Sequence, residues 1–138
     1  MVMRCQMSSV RLIIVDDDPA IRMMLRSIAE ALGADVLGEA ENGRGGIQQA
    51  ELLRPEMMLL DVSMPVMGGF PAARYLREHI PDLWIVLVSQ YNQKAYADEA
   101  MELGAKGYIL KSAVASELGV AMEAIRNGGT FVSPRVAH

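Results

Sequence analysis

Aspartates stand at the ends of two apolar runs, and a hydroxyl and an amine end two more. Val10-Arg11-Leu12-Ile13-Ile14-Val15 leads into Asp16-Asp17-Asp18, and Met57-Met58-Leu59-Leu60 leads into Asp61. Trp84-Ile85-Val86-Leu87-Val88 leads into Ser89, and Tyr108-Ile109-Leu110 leads into Lys111. In one parallel sheet these groups meet at the C-terminal edge, where open α/β folds bind ligands. Crowded carboxylates repel: two like unit charges about 4 Å apart cost roughly 4 kcal/mol at an effective dielectric near 20. The set therefore suits a hard divalent cation such as Mg²⁺, which is held by a few carboxylates and keeps several waters. With one carboxylate as nucleophile, it suits phosphoryl transfer to an aspartate. Lysine then neutralises one phosphoryl oxygen and the serine hydroxyl bonds another.

The elements that must position these groups alternate five times along the chain. Strand-like runs cover Leu12–Asp16, Asp35–Ala40, Met57–Asp61, Trp84–Ser89 and Gly107–Leu110. All but the second are nearly continuous in apolar residues, as strands covered on both faces should be. Asp18 can cap a first helix with Pro19 at its first position, and Ile21, Leu25, Ile28 and Leu32 share one face before Gly33 ends it. Further helices are predicted over Gly45–Leu53, from Pro71 to before Pro81, over Gln93–Leu103, and over Ala113–Asn127. Five βα units imply an α/β fold, a doubly wound five-stranded parallel sheet in the order 2-1-3-4-5. In that flavodoxin-like arrangement the first and third strands flank the switch point, so the carboxylates fall where geometry predicts a site.

Composition bounds the partners. The 138 residues are 51% hydrophobic, enough for one domain with its own core. A net charge of −4 argues against a nucleic-acid surface, which needs a basic face. Cys5 is the single cysteine and cannot form an internal disulfide, in keeping with a reducing, cytoplasmic setting. No apolar run approaches the roughly 18 residues of a membrane span, so no membrane contact is expected. Residues 1–9 read as a disordered leader, 10–129 as the domain, and 130–138 as the start of a linker or tail.

Four motifs closely resemble the receiver domain of two-component response regulators: Val15-Asp16-Asp17-Asp18-Pro19, Leu60-Asp61-Val62-Ser63-Met64-Pro65-Val66-Met67-Gly68-Gly69, Val88-Ser89 and Gly107-Tyr108-Ile109-Leu110-Lys111. Each alone is weak; all four, correctly ordered on strand ends, are specific. The resemblance implies that Asp61 is the phosphoacceptor, that Asp17 ligates Mg²⁺ directly, and that Asp16 does so directly or through water. It implies the main-chain carbonyl of Ser63 as a further ligand, Ser89 as the switch hydroxyl, Lys111 as the phosphoryl-contacting lysine, and Tyr108 as the aromatic whose rotamer follows activation. It also implies a sensor histidine kinase as partner, homodimerisation on phosphorylation, and no conventional enzyme activity. Ile125-Arg126-Asn127-Gly128-Gly129-Thr130-Phe131-Val132-Ser133-Pro134-Arg135 is similar to the receiver-to-linker boundary of LuxR/FixJ-type regulators. DNA contact would then come only through a helix-turn-helix output domain, which these residues do not contain.

Two departures stand out. Gln90 and Tyr91 follow the switch hydroxyl, where the family usually has a small residue, and they predict a crowded pocket mouth. Ser112 follows Lys111, where many receivers carry proline, so a cis peptide is not expected there; a non-proline cis bond costs about 2.5–4 kcal/mol.

Plainer readings and rivals stand beside this. Asp18 has a sufficient role as a helix cap, and serines commonly end strands. His79 suits the last turn of a helix, and the eleven methionines suit core filling. A haloacid-dehalogenase-like phosphatase would use Asp16 as nucleophile and Asp18 as acid/base, but Ala20 stands where Thr or Val is usual. A flavodoxin-like cofactor module would set three aspartates against a phosphate. A degenerate receiver would act only as a scaffold.

Overall fold

A computed structural model describes residues 10–137. The predicted leader, residues 1–9 with Cys5, lies outside the described residues. The chain alternates β1 (Arg11–Val15), α1 (Pro19–Ala31), β2 (Asp35–Ala40), α2 (Gly43–Leu53), β3 (Met57–Asp61), α3 (Gly69–His79), β4 (Trp84–Ser89), α4 (Lys94–Glu102), β5 (Gly107–Leu110), α5 (Val114–Arg126) and β6 (Phe131–Val132). The sheet order is β2-β1-β3-β4-β5-β6, and each pairing is parallel. The first five strands take the expected order. β6 is an addition: the residues read as linker pair with β5, Gly107 opposite Phe131 and Tyr108 opposite Val132.

Alternation along each strand divides the core into two layers. Ile13, Val15, Met58, Leu60, Ile85, Leu87, Tyr108 and Leu110 pack with α2, α3 and α4. Leu12, Ile14, Met57, Leu59, Val86, Val88 and Ile109 pack with α1 and α5. β3 is buried at every position, whereas β2, at the margin, is only half-buried and pairs with β1 through a register shift between Leu12 and Ile13. That explains why the second strand alone lacked a continuous apolar run.

Helix starts are set by local chemistry. The Asp18 carboxylate accepts from the Ala20 amide at 2.8 Å, with Pro19 first in the helix, as predicted. Asn42 caps α2 through the Gly45 amide at 2.9 Å, so that helix begins two residues earlier than expected, at Gly43. α3 also begins two residues early, at Gly69, because Pro71 lies within the first turn, where its missing N–H has no helical acceptor to lose. Lys111–Ala113 form a 3₁₀ turn, and among the described residues there is no cis peptide.

Candidate functional site

The register brings the site together. Val15 lies opposite Leu60, so the next residues, Asp16 and Asp61, are neighbours at the sheet edge. Asp16 is fully buried, Asp61 is 4% exposed and Asp17 is exposed. One carboxylate oxygen from each of the three lies within 4.8 Å of the others. Lys111 follows β5 and sets its ammonium 3.1 Å from Asp16 Oδ2 and 3.2 Å from Asp61 Oδ1. Apart from that ammonium, Asp16 Oδ2 has no aligned donor although it is buried. Asp16 Oδ1 accepts from the Asp18 amide at 2.9 Å.

Electrostatics follow from burial and crowding. Desolvation, with the Asp16 charge beside it, raises the Asp61 carboxyl above the ordinary aspartate range, although Lys111 and the Ser63 amide pull it down. For Lys111, burial works against the charge, but Asp16 and Asp61 outweigh it and hold the ammonium above its usual value.

The remaining predicted residues form a second cluster. Ser89 is fully buried and its hydroxyl accepts from the Tyr91 amide at 3.0 Å. The Tyr108 phenol, fully buried, donates to the Tyr91 carbonyl at 2.7 Å, and burial raises its pKa. Ser63 is exposed and its hydroxyl shares a 3.0 Å hydrogen bond with the Tyr91 phenol, whose ring stacks on Tyr96 at 4.7 Å. Tyr91 thus joins the loop after β3 to the loop after β4. Gln90 points outward and is exposed.

Sequence reasoning missed three contributors. Arg22 donates to the Asp16 carbonyl at 2.6 Å while pairing with Glu39 at 3.0 Å. The Tyr91 bridge depends on a cross-loop contact that no spacing rule announces. Gly69 packs so closely that a Cβ there would lie 2.2 Å from the Asp61 carbonyl oxygen; the Gly68-Gly69 pair was the available signal.

The loop after Asp61 holds one strained residue. Val66 has φ 68°, and Met67 N donates to the Pro65 carbonyl at 2.7 Å around it, a γ-turn in the left-handed region. A β-branched residue is poorly suited to that region. Val66→Gly, at an exposed position, is therefore expected to raise unfolding free energy by about 1 kcal/mol, measured by urea denaturation.

Residues 12–123 match the family described as response regulator receiver domain. The chain belongs to that family. Like other receiver domains, it is not a conventional enzyme, and its acidic pocket of Asp16, Asp17 and Asp61 is of the kind found in phospho-aspartate signalling switches and their Mg²⁺ sites. Among curated relatives, the response regulator GacA of Pseudomonas viridiflava is 32% identical over 93% of this chain and 60% of its own length. The chemotaxis protein CheY of Thermotoga maritima is 38% identical over 73% of this chain and 84% of its own. A LuxR-family two-component response regulator from Aurantimonas superposes with a TM-score of 0.86 at 32% identity, over 94% of this chain and 93% of that one. The receiver thus spans about 60% of the length of the GacA regulators. Asp18 takes the helix-cap role, its Oδ1 accepting from the Ala20 amide.

Proposed function

We propose that the chain is a phosphorylation-dependent switch whose phosphoacceptor is Asp61. The reading is carried by Lys111, whose ammonium lies within 3.2 Å of both buried aspartates, Asp16 and Asp61. Asp16, Asp17, Asp61 and the Ser63 main-chain carbonyl would hold Mg²⁺. The donor set fits: all are hard oxygen ligands, and one carboxylate oxygen of each aspartate lies within 4.8 Å of the others. The buried Asp16 carboxylate, whose Oδ2 has only the Lys111 ammonium beside it, would gain a second cationic partner. Bound Mg²⁺ supplies the positive charge that a dianionic phosphoryl group needs among carboxylates.

Asp61 attacks phosphorus with a carboxylate oxygen. The new O–P bond forms as the P–N bond of a kinase phosphohistidine breaks, and the imidazole leaves with the electron pair and takes up a proton. Lys111 contacts one phosphoryl oxygen, and the Ser89 hydroxyl turns to bond another. Tyr108 and the Tyr91 loop then reposition, a two-state change of the kind that local charge drives in other switches.

A sensor histidine kinase is the donor, the compartment is the cytoplasm, and phosphorylation promotes a homodimer. Among the described residues no helix is long and apolar enough to cross a membrane. Transcription would be controlled through a helix-turn-helix output domain. RcsB, with a TM-score of 0.85 and 26% identity to this chain, has a structure described as two dimers bound to two parallel DNAs.

The test is intact-mass spectrometry after acetyl phosphate plus Mg²⁺. Wild type is expected to gain one phosphoryl group and Asp61→Asn none. An equal gain in both proteins rejects the assignment.

A further inference from the structure

The residues after α5 do not leave the domain but fold back onto it. Phe131 N donates to the Lys106 carbonyl at 2.9 Å and Ser133 N to the Tyr108 carbonyl at 2.8 Å. Val136 is 7% exposed and joins the core layer that contains Tyr108, Ala97 and Ala113. Ala137 N then donates to the Asn92 carbonyl at 2.7 Å. The Asn92 acceptor is adjacent to Tyr91, whose amide is bound by Ser89 Oγ and whose carbonyl is bound by the Tyr108 phenol.

One loop therefore makes three attachments: to the switch hydroxyl, to the buried phenol, and to the C-terminal segment. Tyr108 also holds that segment directly, through its own carbonyl. We infer that Phe131–Ala137 is a latch, held shut by Tyr108 and the Tyr91-Asn92 loop, which is released when Ser89 turns toward a phosphoryl group on Asp61.

The Ser89 hydroxyl gives up its bond to the Tyr91 amide when it turns toward the pocket, and the loop loses that anchor. A loop without that anchor holds the Asn92 carbonyl less firmly against Ala137 and the Tyr91 carbonyl less firmly against the Tyr108 phenol. The segment is otherwise held by Phe131 against the α1/α5 layer and by the buried Ser133, while β6 is two residues long and Val132, Pro134 and Arg135 are exposed. A two-residue strand at the sheet margin and a handful of peripheral hydrogen bonds place it below the central strands in local stability, where switching elements are found. Coupling of this kind is reciprocal, so a released latch also favours the phosphorylated form.

The trigger rests on the proposed role of Asp61; the coupling between Tyr108, the loop and the segment does not. The experiment has two arms on the full chain, both reading hydrogen exchange of residues 131–137. In the first, the protein is treated with acetyl phosphate and Mg²⁺, and intact mass is recorded on the same sample. Exchange about tenfold faster in molecules that carry the phosphoryl group supports the latch. Unchanged exchange in molecules that carry it overturns the latch. No mass gain counts against the Asp61 reading instead, and the second arm then decides. Tyr108→Phe removes only the phenol bond to Tyr91 and keeps the packed ring. Exchange about three- to tenfold faster, without any phosphoryl group, supports the coupling. Exchange equal to wild type overturns it.

Discussion

Asp61→Asn is expected to stabilise the metal-free protein at pH 7 by about 1–2 kcal/mol, although it removes the residue on which function is proposed to depend. Burial of the Asp61 carboxylate is the main penalty, the Asp16 charge adds to it, and Lys111 offsets part of the sum, which leaves a gain of this size. The pH dependence has a definite sign. Burial raises the Asp61 carboxyl above its ordinary value near 3.8, so the folded state holds this proton more tightly than the unfolded chain. The penalty is fully present above the raised folded value, fades as pH falls through it, and is gone below the ordinary value. The difference between variant and wild type should therefore be largest near neutrality and vanish at the acid end, measured by urea denaturation in EDTA. Mg²⁺ should reverse the order by stabilising wild type more than the variant, through preferential binding to the folded state. A variant less stable than wild type in EDTA at pH 7 contradicts this electrostatic account.

Gly69→Ala is expected to cost about 3 kcal/mol, the largest single loss predicted for a change of one methyl group in this chain. The added Cβ would meet the Asp61 carbonyl oxygen at 2.2 Å and the Val62 Cα at 2.9 Å. Both are backbone atoms, so no rotamer change relieves the overlap. Either α3 moves away from the end of β3, or the strand end shifts and takes Asp61 out of reach of Lys111. Gly46→Ala is the informative comparison: its Cβ would meet only the Val15 side chain, at 2.9 Å, and the loss should be smaller. Equal losses in the two variants would show that contact with main chain is not what makes Gly69 special.

The site was legible in the sequence because chemistry and topology coincide there. Asp16, Asp61 and Lys111 each follow an apolar run, and strands buried on both faces carry that signal plainly. The strand order then places those ends together without knowledge of any side-chain geometry. Other parts were written in contacts rather than in patterns. Phe131 and Val132 make a strand too short to show any period, and only the exposed edge of β5 gives them a partner. The early starts of α2 and α3 at Gly43 and Gly69 were missed because glycine carries no helical signal of its own. Tyr91 was noticed for its bulk, whereas its effect comes from where its phenol, amide and carbonyl each end: on Ser63, Ser89 and Tyr108. Nothing in the helical pattern marks Arg22, whose guanidinium donates to the Asp16 carbonyl.

The register shift between Leu12 and Ile13 has a bearing on how copies of this protein coexist at high concentration. β2 is one of the two outermost strands, and a straight, apolar margin would template the addition of a strand from another molecule. Here the irregular pairing disturbs the margin, and Asp35 and Glu39 sit along it, with Glu39 gripped by Arg22 and Arg26. That side of the sheet is thereby protected from aggregation by its own irregularity and charge.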